Sequence, residues 1–200
     1  CWKDVPRGIL TTMAKKVKKE SKDYKLFYTE WSSLGGLPSD GPFGSSFIIK
    51  SCLDNLGIID GYSYWCLSDI FEETPQKSEE FHGGYGIFTY HGIKKAPYNA
   101  FKMLNVLPDK IYESNYLGKT LDIHSFKGEK NECYILLNNH NSLQQNIEDE
   151  EVTITLDNNL IKKVEKYVID DEHSNAYSYF LEKYNKNYLS CNEIKDVKKH

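Results

Sequence analysis

The sequence has no long apolar run and no excess of positive charge. None of its 200 residues fall in an apolar stretch long enough for a membrane-spanning helix. A formal net charge of −4 argues against nucleic acid or an anionic membrane surface as the main partner. The hydrophobic content of 40% is that of a globular protein with a real core. We therefore expect neither a nucleic-acid partner nor a membrane partner.

The cysteines lack any pairing pattern. Five of them are scattered along the chain without a Cys-x-x-Cys motif, and their number is odd. This predicts reduced thiols in the cytoplasm rather than a disulfide framework or a zinc site. The first residues form no signal-peptide pattern. Because the sequence begins at Cys1 rather than Met, we expect it to be the C-terminal part of a longer protein.

The common cofactor and nucleophile fingerprints are also missing. There is no Gly-x-Ser-x-Gly, no phosphate-cradling glycine loop and no calcium-hand loop, and no His pair stands at helical ligand spacing. The run Gly83-Gly84-x-Gly86 lacks the spacing of a dinucleotide site and is more typical of tight backbone turns. We expect no cofactor and no metal.

The first half of the chain alternates between helical and strand patterns. Apolar residues at helical spacing follow Val5-Pro6-Arg7, recur between Phe47 and Leu56, and recur again after Pro97. Two nearly continuous apolar runs, Lys25–Trp31 and Ile58–Leu67, lie between these helices. Such runs are typical of parallel strands that helices bury on both faces. Two strands cannot close a barrel by themselves.

The second half changes to short, alternating runs that are typical of antiparallel strands. The predicted strands are 121–126, 132–138, 151–156 and 163–169. Together they predict a β-sandwich, followed by a short helix over 177–184 that Asp170 or Ser174 caps. The charged end of the chain, 192–200, is predicted to be a weak helix or a frayed tail. The predicted domains are 1–112, an α/β unit, and 113–200, an all-β unit.

Acidic residues cluster where the two predicted parallel strands end. Glu30 closes the first strand, and Asp69, Glu72 and Glu73 follow the second. The ends of adjacent parallel strands meet at one rim, where active sites are built. Carboxylates there can act as nucleophile or acid and base, bind sugar hydroxyls or, less favourably, hold a metal. A lone acid at a strand end is more often merely solvated, so Glu30 requires further support.

Several blocks resemble the C-terminal half of glycoside hydrolase family 39, which contains β-xylosidases and α-L-iduronidases. The blocks occur in order over nearly the whole chain, and they are Thr29-Glu30-Trp31, Tyr64–Glu73, Phe81–Gly86, Lys95–Phe101 and Tyr167–Tyr177. The resemblance implies the last two or so β/α units of a (β/α)8 barrel, in residues 1–112, followed by an accessory antiparallel β-sandwich in 113–200.

The resemblance also implies site residues. In such a retaining glycosidase Glu30 would be the nucleophile, Glu72 would hold sugar hydroxyls and Trp65 would form part of the floor of the sugar subsite. The remaining rim or supporting residues carried over from the family are Asp69, Glu73 and His82. The implied partner is a carbohydrate, a β-xyloside or a related glycoside.

A retaining mechanism needs a second carboxyl roughly 5 Å from the nucleophile. The family carries it in an Asn-Glu-Pro motif, but Asn131-Glu132 and Asn192-Glu193 lack the proline. The loop Ser32–Gly41 also departs from the family's Asn-Thr-Ser after the nucleophile.

Two hypotheses stay open: the parent protein is a β-xylosidase, or the chain alone is a non-catalytic module with a structural or weak sugar-binding role. For the isolated chain we expect the half-barrel edges to self-associate or to remain partly unfolded.

Overall fold

The computed structural model describes residues 5–33, 36–70, 77, 79–112, 116, 118–129, 131–143, 145–155 and 161–200. The helices are α1 Ile9–Ser21, a 3-10 helix Leu37–Asp40, α2 Pro42–Asp54, α3 Ala96–Asn105, α4 Ala176–Lys183 and α5 Cys191–Val197. The strands are β1 Phe27–Trp31, β2 Gly61–Tyr64, β3 Ile111–Tyr112, β4 Leu121–Lys127 and β5 Cys133–Asn139. No helix in these segments is long and apolar enough to cross a membrane.

The two predicted parallel strands pair as expected. β1 lies parallel to β2, with Tyr28 opposite Tyr62 and Trp31 opposite Tyr64. The register shifts between these two pairs. Tyr28 and Trp31 stand three positions apart, so strict alternation would place them on opposite faces, yet both pack against the same core cluster. The irregularity therefore turns both aromatic rings inward and leaves Glu30 at the surface.

Helix α2 forms the centre of the molecule. It begins with Pro42 at its first turn, where proline costs no hydrogen bond, and it buries Ile48, Ile49 and Leu53. This core also contains Trp31 from β1 and Phe126 from β4. The parallel pair and the antiparallel sheet therefore share one continuous core through α2, and a domain boundary at residue 113 stays a prediction.

The antiparallel part is one sheet in the order β3-β4-β5. The strands predicted at 121–126 and 132–138 are confirmed within one residue at each end. Those predicted at 151–156 and 163–169 are wrong for the residues that the structure describes, and no second sheet faces the first there. Val164 is 74% exposed and Tyr167 is 75% exposed, because no described strand pairs with this segment and covers its apolar side chains.

The C-terminal segment folds back as a helix pair. Of the two alternatives predicted for 192–200, a weak helix or a frayed tail, the structure has a helix, α5, whose Val197 is completely buried with Phe81 and Phe180. Ser190 and Glu193 form a reciprocal capping box that begins α5. Asn175 caps α4, whereas Asp170, one of the two predicted caps, accepts the N–H groups of Glu172 and His173 in the preceding turn.

A polar contact fastens the antiparallel sheet to the helices. Arg7 pairs with Asp122 and donates to the carbonyl oxygens of Thr120 and His140 at 2.7 Å. Lys50 of α2 reaches the same Asp122 carboxylate at 3.1 Å. The His140 imidazole lies buried, its Nδ1 2.8 Å from the Oγ of Ser46.

We expect His140 to make the fold sensitive to acid. Burial, with the nearby Lys50 and Arg7 charges, lowers the pKa of His140 to about 4. The unfolded chain takes up this proton near pH 6.5, so acid favours unfolding between the two pKa values. This residue alone should remove about 2 kcal/mol of unfolding free energy between pH 7 and pH 4.5. Urea titrations at both pH values measure the loss.

The matched variants are His140→Asn and His173→Asn. His140→Asn keeps a polar group near Ser46 but no longer titrates, so it should lose about 2 kcal/mol less on acidification than the wild type. His173 has a side chain that is 60% exposed and pairs with Asp170 at the surface, so His173→Asn should retain most of the wild-type loss on acidification. An unchanged acid loss in His140→Asn would contradict the assignment.

Candidate functional site

Glu30 is the penultimate residue of β1 and presents its side chain to solvent. Trp31, the next residue, turns inward and packs against Phe47, Tyr62 and Tyr64. The buried indole thereby fixes the backbone that carries the carboxylate. Among the described residues no hydrogen bond or ion pair occupies Glu30, so its oxygens are free to meet a ligand.

Trp65 follows the last residue of β2 and stands beside the end of β1. Its backbone N–H donates to the carbonyl of Trp31 at 2.8 Å, which extends the parallel pairing by one residue. The side chain is half-buried, and the peptide bond to Cys66 is cis. The backbones that carry Glu30 and Trp65 are therefore joined directly at one rim of the parallel pair.

The backbone after Trp65 continues alongside the segment 85–88. Cys66 donates to the carbonyl of Tyr85 at 2.9 Å, and Asp69 donates to that of Phe88 at 2.9 Å. Ile87 and Phe88 donate back to Cys66 and Leu67 at 3.1 Å each. This pairing holds the glycine-rich Phe81–Gly86 loop against the residues that follow β2.

A buried ionic cluster lies between the loops. The Lys95 ammonium sits 2.6 Å from Asp40 Oδ1 and 2.7 Å from Asp69 Oδ2, and none of the three side chains has any exposed surface. Asp40 also accepts the Gly83 N–H at 2.7 Å, and Asp69 accepts the Gly86 N–H at 2.8 Å. One lysine and two aspartates thus join three separate loop segments.

The surroundings of Asp40 shift its pKa in opposite directions. Burial raises the pKa of Asp40, and the negative charge of Asp69 raises it further, while Lys95 acts in the opposite direction. A buried carboxylate without a cation is strongly disfavoured in a low dielectric. The Lys95 ammonium is therefore what allows the two aspartates to approach the same point.

The glycines of the Phe81–Gly86 loop are explained by this close approach. Gly83 has a φ of +75°, and a Cβ there would overlap the backbone of Gly36. A Cβ on Gly84 would overlap the carboxylate of Asp69. The loop can reach both aspartates only because these positions lack side chains.

His82 is oriented from the same cluster. Its Nε2 lies 3.7 Å from Asp69 Oδ2, longer than a hydrogen bond, and its ring packs on Tyr90 with centroids 5.4 Å apart. The side chain is 12% exposed. His82 therefore borders the surface but is held from below by an acid and an aromatic ring.

The predicted site residues fall into three groups. Glu30 and Trp65 lie at neighbouring strand ends, and Asp69 and His82 lie together below the glycine-rich loop. Direct sugar contact does not fit Asp69, because its carboxylate is fully buried against Lys95. Glu72 and Glu73 lie outside the described residues. No group of three or more acidic, histidine or cysteine side chains with metal-binding geometry occurs in the described part of the chain.

Asp40 and Lys95 were not predicted from the sequence. One signal was available: Lys95 occupies the N-cap of α3, where a cation opposes the helix dipole. A lysine at that position indicates a specific anionic partner. The identity of the partners depends on tertiary contact, which no local pattern contains.

The C-terminal helices also reach the site loop. Phe81, which precedes His82, packs against Tyr177 and Phe180 of α4 with ring centroids 5.3 and 5.1 Å apart. The 170–177 segment, which is distant in sequence from the acids, therefore supports the loop beside them.

The chain is similar to known sugar-cleaving proteins. It is 32% identical over 201 residues to a β-xylosidase of Caldicellulosiruptor saccharolyticus, covering 96% of this chain and 40% of that protein. A 72-residue match of 33% identity links it to a β-xylosidase of Geobacillus stearothermophilus, over 36% of this chain and 14% of that protein. The chain thus spans well under half the length of these curated relatives.

Solved structures share its fold. A monomeric β-xylosidase from Caulobacter crescentus CB15 matches with a TM-score of 0.65 at 16% identity, over 96% of this chain and 42% of that one. A GH39 enzyme from Xanthomonas axonopodis pv. citri matches with a TM-score of 0.64 at 16% identity, over 96% and 42% of the two chains.

The family model for glycosyl hydrolases family 39 matches residues 5–200, which includes the strand that carries Glu30, the ionic cluster and the C-terminal helices. The resemblance noted in the sequence blocks is confirmed, and the chain belongs to this family.

Proposed function

We propose that this chain is the C-terminal part of a retaining glycoside hydrolase that acts on β-xylosides, with Glu30 as its nucleophile. The supporting observation is the exposed, unoccupied carboxylate of Glu30 at the end of β1, next to Trp65 at the end of the parallel β2. Membership of a glycosidase family and the β-xylosidases among its relatives favour this substrate class. The parallel pair would then be two strands of the parent's barrel.

In this mechanism Glu30 attacks the anomeric carbon and displaces the aglycone, which forms a glycosyl-enzyme ester. A second carboxyl, roughly 5 Å away, protonates the leaving oxygen and then deprotonates the water that cleaves the ester. Two displacements on opposite faces retain the configuration. Glu30 suits the first role because the buried Trp31 fixes its backbone while the carboxylate stays accessible.

The neighbouring residues would bind the sugar. Trp65 offers an aromatic face for the apolar side of a pyranose ring. We assign Glu72 to the sugar hydroxyls and Glu73 and His82 to the rim of the site. Asp69 supports His82 and the glycine-rich loop from below.

The acid/base carboxyl is proposed to come from sequence outside these residues. No Asn-Glu-Pro occurs among the 200. The alternative, a non-catalytic module, therefore applies to the isolated chain. The exposure of Phe27 on β1, at 57%, supports a parallel pair that needs further strands to cover it.

We expect Glu30→Gln to abolish turnover in the protein extended upstream. The amide keeps the size of the side chain but cannot form the ester, so kcat on an aryl β-xyloside should fall by more than about 10³-fold. Glu20→Gln, the same change at an exposed position of α1, should leave kcat unchanged.

Glu30→Ala adds a test of stereochemistry. With the carboxylate removed, added azide can attack the anomeric carbon from the same face, and this single displacement should yield the α-xylosyl azide. Full turnover by Glu30→Gln would show that the nucleophile assignment is wrong.

We expect the isolated 200-residue chain not to turn over an alkyl β-xyloside. Without the general acid, the alkoxide must leave unprotonated, and general acid catalysis alone contributes about 10²–10⁴-fold. Xylose release by the isolated and the upstream-extended chain, compared at equal concentration, measures the difference. The prediction would be overturned if the isolated chain hydrolysed the xyloside and its Glu30→Gln variant did not. The acid/base would then lie within these residues.

A further inference from the structure

We infer that Lys95 is a positioning residue, whose buried ammonium sets the distance between the loop that follows Glu30 and the loop that follows Trp65. The inference rests on the proposed function, since it concerns the same pair of strand ends. Lys95 touches neither strand end itself, and it acts through Asp40 on one side and Asp69 on the other.

The first connection begins three residues after Glu30. The Ser33 hydroxyl donates to the Ser39 hydroxyl at 2.8 Å, and both residues are buried. Ser39 precedes Asp40 in the 3-10 helix, and the carboxylate of Asp40 contacts Lys95. A displacement of Asp40 is therefore transmitted by buried hydrogen bonds to the backbone just beyond Glu30.

The second connection begins at Trp65. The backbone from Cys66 to Asp69 is paired with the segment 85–88, and the Asp69 carboxylate meets both Lys95 and the Gly86 N–H. Lys95 also donates to the carbonyl of Gly84 at 3.3 Å. The Lys95 ammonium thus holds the segment after Trp65 in two ways. It contacts the Asp69 side chain directly, and it contacts the loop whose backbone pairs with that segment.

The position of Lys95 fits a role in joining loops better than a role in its own helix. A cation at the N-cap of α3 is unfavourable for that helix, and a fully buried ammonium carries a desolvation cost. Both costs are met by contacts to the loops beside Glu30 and Trp65. If the ammonium is removed, two buried carboxylates repel each other across the space it filled, and the loops that follow the two strand ends lose their fixed separation.

The test uses the protein extended upstream, with Lys95→Met compared with Lys94→Met. Lys94 is adjacent and exposed, so the same substitution there should leave kcat and KM at wild-type values. Lys95→Met should lower kcat about 10²-fold, as expected for a small misplacement of the reacting groups, with a smaller change in KM. Thermal melts and circular dichroism establish that kcat is measured on folded protein.

A triple variant, Asp40→Asn/Asp69→Asn/Lys95→Met, keeps acceptors for the Gly83 and Gly86 N–H groups and contains no buried charge. It should melt near the wild-type temperature, because removing a whole buried ionic group is often neutral. We expect its kcat to stay at least tenfold low, since no ammonium then joins the two loops.

The outcomes separate the inference from the proposed function. If the triple variant recovers both the wild-type kcat and the wild-type melting temperature, the ionic cluster only stabilises the fold and the inference is overturned. Wild-type kcat in Lys95→Met would also overturn it. Neither result affects the loss expected for Glu30→Gln, whereas full activity in Glu30→Gln would remove the proposed function itself.

Discussion

The ion contact of Lys95 with Asp40 and Asp69 is the constraint on which the rest of the site depends. All three side chains are fully buried, so the contact persists only while the loops that carry them are in place. It requires the glycines at 83 and 84, because any side chain there would collide with Gly36 or Asp69. The glycines of this block are therefore explained by close packing around the buried ions.

The same loop is held from the other side by the end of the chain. Phe81 packs on α4, and the completely buried Val197 of α5 belongs to the same cluster. The capping box at Ser190 fixes where α5 begins and so where Val197 lies. Strands β4 and β5 pack on α2 in the core cluster that also contains Trp31 of β1, and the C-terminal helices pack on Phe81 in a second cluster. Residues from both predicted domains therefore contribute to each of these two clusters.

The periodicity of apolar residues predicted those helices and strands that bury one face or both faces. The parallel pairing of β1 and β2, the helices α1 to α3 and the antiparallel pair β4–β5 all follow from periodicity that packing later satisfied. The runs at 151–155 and 163–169 show the same alternation, yet in the described residues they are not strands, since alternation gives no information about an available partner. Glu30 was placed correctly near the end of its strand, whereas Trp65, predicted inside a strand over 58–67, follows the shorter β2. Asp40 and Lys95 were missed because their significance exists only as a tertiary contact.

Glu30 lies near the end of β1 and Asp69 follows β2, and the surroundings of these two acids differ. Glu30 is exposed and free of ion pairs in the described structure, which a nucleophile requires if it is to reach an anomeric carbon. Asp69 is buried, neutralised by Lys95 and committed to the Gly86 N–H, so it has no oxygen available for a sugar. A carboxylate of this second kind cannot react, but it can orient the His82 ring and hold a loop at a fixed distance. The sequence pattern alone treats both as rim acids, and burial is the property that distinguishes them, since Glu30 is exposed whereas the Asp69 side chain is fully buried.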